Sequence, residues 1–363
     1  MMGNNASSYS MTLVIIFGIF IFRLSCSKAQ EVPAMFVLGD SLVDVGNNNF
    51  LPASIAKANY PHYGMDFPTR RPTGRFSNGK NAADLLAEKL GLPSPPPFMS
   101  LIANKDTSAY TTGVSFASSG AGIFNSSDIK LSIPLTTQIG YYEYVYQNLV
   151  GMLGQSGAQD RISKSVFLIV VGNNDIFDYF GSRDLRNQNT PVAFIKVMAR
   201  TLKVLLKRLH ASGARKFVVP GIGAIGCIPL QRSMTPTQEC NEDLNALASA
   251  YNHVLKTMLQ ELKSELNDIS YSFHDTYAVA QNINQNPATY GFTELKAACC
   301  GLGKLRAQSP CLPVSMFCLN RRDHMWWDLI HPTEATDAIL VDAMFDGPLQ
   351  YNCPINVKQL VAV

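Results

Sequence analysis

Met35-Phe36-Val37-Leu38 is a short apolar run, and Gly39-Asp40-Ser41 stops it. Such a run, bounded by turn formers, reads as a strand buried on both faces, as in a parallel sheet. Glycine permits a sharp turn with the backbone close to other groups. The serine then stands just past the carboxyl end of a strand, where open α/β sheets place their ligands. The stretch Leu42-Val43-Asp44-Val45-Gly46-Asn47-Asn48-Asn49 is too polar and glycine-rich to continue the strand, and reads as a turn, a short helix and a loop. On this stretch alone, Ser41 is either an exposed nucleophile or a polar residue ending a strand, since serine is common in turns.

Similar stops recur downstream. Residues 113–117 read as a second short strand running into Ser118-Ser119-Gly120-Ala121-Gly122, whose small residues leave backbone N–H groups free to face a ligand. Residues 165–171 are the clearest strand, halted by Gly172-Asn173-Asn174-Asp175. Residues 216–219 and 269–273 read as further strands, the second of them the last. Helices are expected over 81–90 with Asn78 as cap, over 135–153, over 191–210 with Pro191 at its start and Gly213 past its end, over 239–266, and over 333–345 as the closing element. This alternation predicts an α/β fold, a parallel sheet with helices on both faces.

The chain has 363 residues, 47% hydrophobic and 16% charged, which fits a globular protein rather than a disordered one. The apolar run over 11–22 is short for a membrane span. It is followed by Ser27-Lys28-Ala29, so residues 1–29 read as a secretory signal cut near Ala29–Gln30, with an uncleaved anchor as the alternative. No other stretch is long and apolar enough to span a membrane, and residues 30–363 read as a single domain exported from the cell. Losing Arg23 and Lys28, and no acid, takes the net charge from +3 to +1. Near neutrality gives no general reason to bind nucleic acid. In an exported chain, Cys227, Cys240, Cys299, Cys300, Cys311 and Cys318 are expected to form disulfides. Cys227 with Cys240, close in sequence and flanking a loop, is the best pair. No C-x-x-C or paired-histidine spacing supports zinc instead. Asn125-Ser126-Ser127 is a glycosylation sequon if the chain is exported.

Gly221-Ile222-Gly223-Ala224-Ile225-Gly226 matches a dinucleotide fingerprint, but Pro229 would interrupt the helix that must begin there. The G-x-S-x-G elbow is absent. A nucleophilic serine needs a base and a group to orient it. His62, His210, His253, His274, His324 and His331 are the candidates. His210 and His253 fall within long helices. His274 ends a strand, and Asp323-His324 is charged and looks exposed. His331 precedes Pro332, which disfavours helix at His331 and marks a loop entering a helix. Asp328, three residues earlier, can reach its imidazole and fix its tautomer.

Taken together, Gly39-Asp40-Ser41-Leu42, Ser119-Gly120, Gly172-Asn173-Asn174-Asp175 and Asp328-Leu329-Ile330-His331 are far more specific than any one of them. Their order and spacing resemble the GDSL esterase/lipase family of secreted plant enzymes, within the SGNH hydrolase superfamily. Residues 72–79 (Pro-Thr-Gly-Arg-Phe-Ser-Asn-Gly) and His331-Pro332-Thr333-Glu334-Ala335 extend the resemblance, which covers nearly all of 33–350. It implies a three-layer α/β/α sandwich with a central, flavodoxin-like parallel sheet. It implies Ser41 as nucleophile, His331 as base and Asp328 as its partner. It further implies an oxyanion hole from the backbone N–H groups of Ser41 and Gly120 and the side chain of Asn174. One departure is Ser119, where the family pattern has a first glycine.

The implied function is hydrolysis of small-molecule or lipid carboxylic esters by a protein of the cell wall or apoplast, through an acyl-serine, with no metal or organic cofactor. An acyltransferase on cell-wall or cuticle material is a close rival, because an alcohol can also resolve the acyl-serine. A binding or inhibitor protein that kept the fold would be expected to lose Ser41, Asn174, Asp328 or His331, and all four are present. Sequence leaves the acyl chain, the alcohol and the oligomeric state open.

Overall fold

The computed structural model describes residues 32–124 and 131–363. The expected signal segment and the Asn125 sequon lie outside the described residues. Four short strands, β1 (Met35–Gly39), β2 (Val166–Val170), β3 (Lys216–Pro220) and β4 (Ser270–His274), form a parallel sheet in sequence order. Side chains alternate across a strand, and both faces of these strands are buried. From β1, Phe36 and Leu38 point into a large core with Phe167, Phe217 and Phe273, covered by helices Leu135–Lys164, Pro191–Ala211 and Glu242–Glu265. Met35 and Val37 point the other way, into a smaller core with Leu168 and Val218. Helices Ala82–Lys89, Glu334–Phe345 and Val357–Ala362 cover that face. This is the three-layer α/β/α sandwich expected from the sequence.

Several boundaries differ. Residues 113–117 do not form a full strand. They run beside the free edge of β1 through one parallel bridge, Val37 to Ser115, and backbone bonds such as Phe116 N–H to Val37 C=O at 2.8 Å. The first helix is capped by Asn81, whose side chain accepts from Ala83 and Asp84 N–H, and not by Asn78. Asn78 instead accepts from the Glu334 N–H at 2.9 Å. The helix expected over 135–153 ends where expected, broken at Gly154 with φ of +72°, but a second helical stretch that the sequence did not indicate follows it to Lys164. Nor is β4 the last strand or 334–345 the closing helix. Asn352–Pro354 adds an antiparallel edge to β4, and Val357–Ala362 follows it. Pro354 has no N–H to give a ladder, which suits an edge.

Cys227–Cys240 is bonded as expected, and Cys299–Cys318 and Cys300–Cys311 complete the set, with Cys353 a free thiol. The last two pack with Tyr63 and the fully buried Trp327 in a separate cluster.

β4 ends at His274, which is 1% exposed. Burial pushes its pKa down to about 4. The native state therefore holds it neutral while an unfolded chain takes up a proton below about 6.5. The stability it contributes is present above 6.5 and is lost as pH falls through about 4, a loss on the order of 3 kcal/mol. Burial pushes Asp40, Asp44 and Asp175 up to about 6, so their contribution has the opposite sign, present at low pH and lost as pH rises through about 6. Comparing wild type with His274→Gln cancels the aspartates. The variant is expected to lose less stability than wild type between pH 6.5 and 4 in denaturant titrations, and parallel curves would count against the assignment.

Candidate active site

The chain passes from β1 to the 113–117 edge on one side and returns to β2 on the other. This makes a topological switch at the carboxyl end of β1, and the neighbouring strand ends carry Ser41, Ser119-Gly120 and Asn173-Asn174. Gly39 is forced by this crowding. Its φ is +150°, and a Cβ there would sit 2.1 Å from the Val170 carbonyl oxygen. Asp40 next to it is buried, accepting from Leu42 N–H at 3.0 Å and from the Asn173 side chain at 3.0 Å.

The polar stretch after Ser41 is a clamp. Asp44 Oδ1 accepts from Gly46 and Asn47 N–H at 2.7 and 2.8 Å, while its Oδ2 accepts from Ser119 N–H at 3.1 Å. Asn47 Nδ2 donates to the Ser115 and Ala117 carbonyls at 2.9 and 2.8 Å. Asn48 Nδ2 donates to the Ser119 carbonyl at 3.0 Å. These bonds fix the edge segment and its turn against the serine. The sequence placed Asp44, Asn47 and Asn48 in a turn, a short helix and a loop and gave them no role in the site. Their partners lie 68 to 75 residues away, beyond any local pattern.

Asp328 and His331 meet this end from the far side. His331 Nε2 lies 2.8 Å from Ser41 Oγ, and His331 Nδ1 lies 2.9 Å from both oxygens of Asp328. Asp328 Oδ1 also accepts the N–H groups of Ile330 and His331, at 2.9 and 2.8 Å. Burial pushes Asp328 up, but the facing His331 charge and these hydrogen bonds outweigh it and hold the carboxyl below its usual range. The sequence missed Tyr63, whose hydroxyl donates to Asp328 Oδ2 at 2.7 Å from 265 residues away. Burial, then the Asp328 charge, pushes this phenol well above its usual range, which keeps it a donor. Residues 72–79 supply Phe76, whose ring lies 4.7 Å from that of His331, and Arg75, which grips Asp84 with two bonds at 2.6 and 2.7 Å.

Asn174 opens the helix Asn173–Gly181 and lines the same cavity as Ser41. Its Nδ2 donates to the Ala121 carbonyl at 2.8 Å, tying it to the Ser119–Gly122 turn. Gly120 is exposed at that turn with φ of +83°. Ser119, the departure from the family pattern, is 4% exposed and held by Asp44 and Asn48.

The other histidines are elsewhere engaged. His210 pairs with Asp268 at 2.8 Å, His324 with Asp323 at 2.7 Å, and His274 with Asn352 at 3.0 Å. His253 is exposed on its helix, and the ring of His62 lies 4.6 Å from that of Phe317. The glycine loop after β3 turns into a short 3-10 turn at Ile225–Cys227. Its Ile222 and Gly226 N–H groups are taken by Asn252 and Asn245, both at 2.8 Å. Among the described residues, no cluster of three or more His, Cys, Asp or Glu is arranged to hold a metal. No helix among them is long and apolar enough to cross a membrane.

An α/β/α sandwich with a serine, a histidine and an aspartate joined in this order at the end of its sheet has the make-up of a carboxylic ester hydrolase. The chain belongs to the family of GDSL-like lipases and acylhydrolases, whose model matches residues 35–344. It is 50% identical over 344 residues to the GDSL esterase/lipase At5g55050 of Arabidopsis thaliana, covering 92% of this chain and 91% of that one. It is 36% identical over 357 residues to the GDSL esterase/lipase At4g16230 of the same plant, covering 96% of each. Among solved structures, an α/β hydrolase from the metagenome of Lake Arreo, Spain, aligns with 12% identity and a TM-score of 0.40, over 86% of this chain and 92% of that one.

Proposed function

We propose that this ester hydrolase is exported and works through an acyl-serine intermediate. Ser41 attacks the ester carbonyl while His331 Nε2 takes its proton and then returns it to the leaving alcohol. Water resolves the acyl-serine with His331 again as base. Asp328 holds the imidazole with its proton on Nδ1, leaving Nε2 to accept. The observation that carries this reading is the 2.8 Å approach of Nε2 to Ser41 Oγ, with Asp328 on the opposite nitrogen. Three disulfides suit an oxidising compartment and support export. Treating the purified protein with an alkyl fluorophosphonate tests the nucleophile. The adduct is expected on Ser41, and a protein that hydrolyses esters but is labelled elsewhere, or not at all, would refute it. Adding glycerol to the ester assay then measures how much acyl group passes to an alcohol instead of water.

The proposed oxyanion donors are the N–H groups of Ser41 and Gly120 and the Nδ2 of Asn174. An Asn amide has two N–H bonds. One ties Asn174 to Ala121 C=O, and the other is assigned to the oxygen that becomes charged. A fixed donor of this kind favours the tetrahedral intermediate over the bound ester. Asn174→Ala is expected to lower kcat by roughly a hundredfold to a thousandfold with little change in KM. Asn174→Asp should be at least as damaging, because a carboxylate repels the oxyanion. Near-normal kcat in either folded variant would make Asn174 a turn residue only.

A further inference from the structure

The wall beside Ser41 opens into a cavity of about 90 Å³, lined largely by apolar side chains including Phe177, Ile225, Ile228, Met325 and Trp326. A second cavity of about 80 Å³ lies behind it, between the carboxyl ends of β2 and β3 and the helix Glu334–Phe345. Leu168, Val170, Val341 and Met344 line this inner chamber. Both chambers share Leu42, Asn173, Gly223, Thr276, Pro332 and Leu340, which therefore form the wall between them. The protein interior is otherwise close-packed, and pockets walled largely by apolar side chains favour apolar guests. Two titratable side chains also line the inner chamber. Burial, with the charges of Glu334 and Asp84 adding, pushes Asp337 well above the carboxylate range, and burial pushes His274 down to about 4. Both shifts favour the uncharged form, as an apolar guest requires.

We propose that the two chambers are the acyl subsite. The ester's saturated acyl chain runs from the Ser41 carbonyl past Leu42 and Leu340 into the sandwich, and the alcohol stays on the solvent side. A cavity of about 150 Å³ holds benzene, and the two chambers together are of that size. The fitting substrates are then esters of medium-length acids, about six to eight carbons. Acetyl esters leave the chambers unfilled, and long chains overrun them. Each methylene seated is worth about fourfold in binding. This assignment rests on Ser41 being the acylated residue, and the test keeps the two apart.

The experiment uses p-nitrophenyl acetate, butyrate, hexanoate, octanoate and dodecanoate with the purified protein. The ratio kcat/KM is expected to rise at least tenfold from acetate to hexanoate or octanoate and to drop at least tenfold at dodecanoate. Met344→Phe fills the inner chamber without touching the outer one, and should cut the octanoate-to-butyrate ratio at least tenfold. Leu340→Ala opens the shared wall and should move the optimum to longer chains. It also decides the question if Met344→Phe fails to fold. If fluorophosphonate labels Ser41 but the chain-length profile is flat, or folded variants leave it within twofold of wild type, the subsite is wrong and the nucleophile stands. If esters are hydrolysed without labelling of Ser41, the nucleophile assignment itself falls.

Discussion

Ser41→Ala is expected to remove ester hydrolysis from the purified protein, lowering kcat by about a millionfold, the size of loss found when a triad nucleophile is deleted. Ser41 is only half-buried, and its hydroxyl bonds His331 from outside both cores. Deleting it should therefore leave the melting temperature within a few degrees of wild type. The same variant should no longer react with fluorophosphonate. If Ser41 and His331 act as one unit, as proposed, combining it with His331→Ala should cost little more than either alone. Turnover of folded Ser41→Ala near the wild-type rate would put the nucleophile elsewhere.

Asp328→Asn is expected to lower kcat by about ten thousandfold while leaving substrate binding nearly intact. Asp328 Oδ1 accepts from two backbone N–H groups, which cannot turn into acceptors, so the oxygen of the replacement amide stays with them. The amide nitrogen then faces Tyr63 and His331 Nδ1. Tyr63 can rotate its hydroxyl and accept, and an N–H donor now stands 2.9 Å from His331 Nδ1, which favours the tautomer with the proton on Nε2. That puts a proton between His331 and Ser41 Oγ, where an acceptor is needed. Steady-state kinetics at saturating ester, with circular dichroism to check the fold, measure this. A loss of less than tenfold would mean that Asp328 only shapes the loop.

What the sequence revealed follows the range of the forces involved. β1 and β2 were legible because an apolar run ending in glycine is a local signal. Asp328 and His331 were legible because they are three residues apart and a proline sets the backbone beside them. Cys227–Cys240 was legible from a short separation. The other two disulfides were not, because Cys299 and Cys300 are neighbours and either could reach Cys311 or Cys318. The antiparallel register of Cys300 with Phe317 settles which does. Tyr63, Asp44, Asn47 and Asn48 read as ordinary loop residues, since what they hold was distant in sequence. Asn78 was misread as a local cap because its real partner, the Glu334 N–H, is 256 residues away.

The segment carrying Asp328 and His331 is pinned by backbone bonds from Cys299 to Trp326 and from Cys300 to Trp327, at 2.9 and 2.7 Å. Cys299 and Cys300 are themselves tied by disulfides. The serine follows the first strand of the sheet, and the bond that joins it to the histidine spans 290 residues. Tyr63 and Phe76, from the serine's part of the chain, meet Asp328 and His331 across the site, and neither part contains both Ser41 and His331. During synthesis the serine half can be in place while the base has still to be made. If Ser41 and His331 act together as proposed, ester hydrolysis begins only once the last third of the chain has met the segment that follows the first strand.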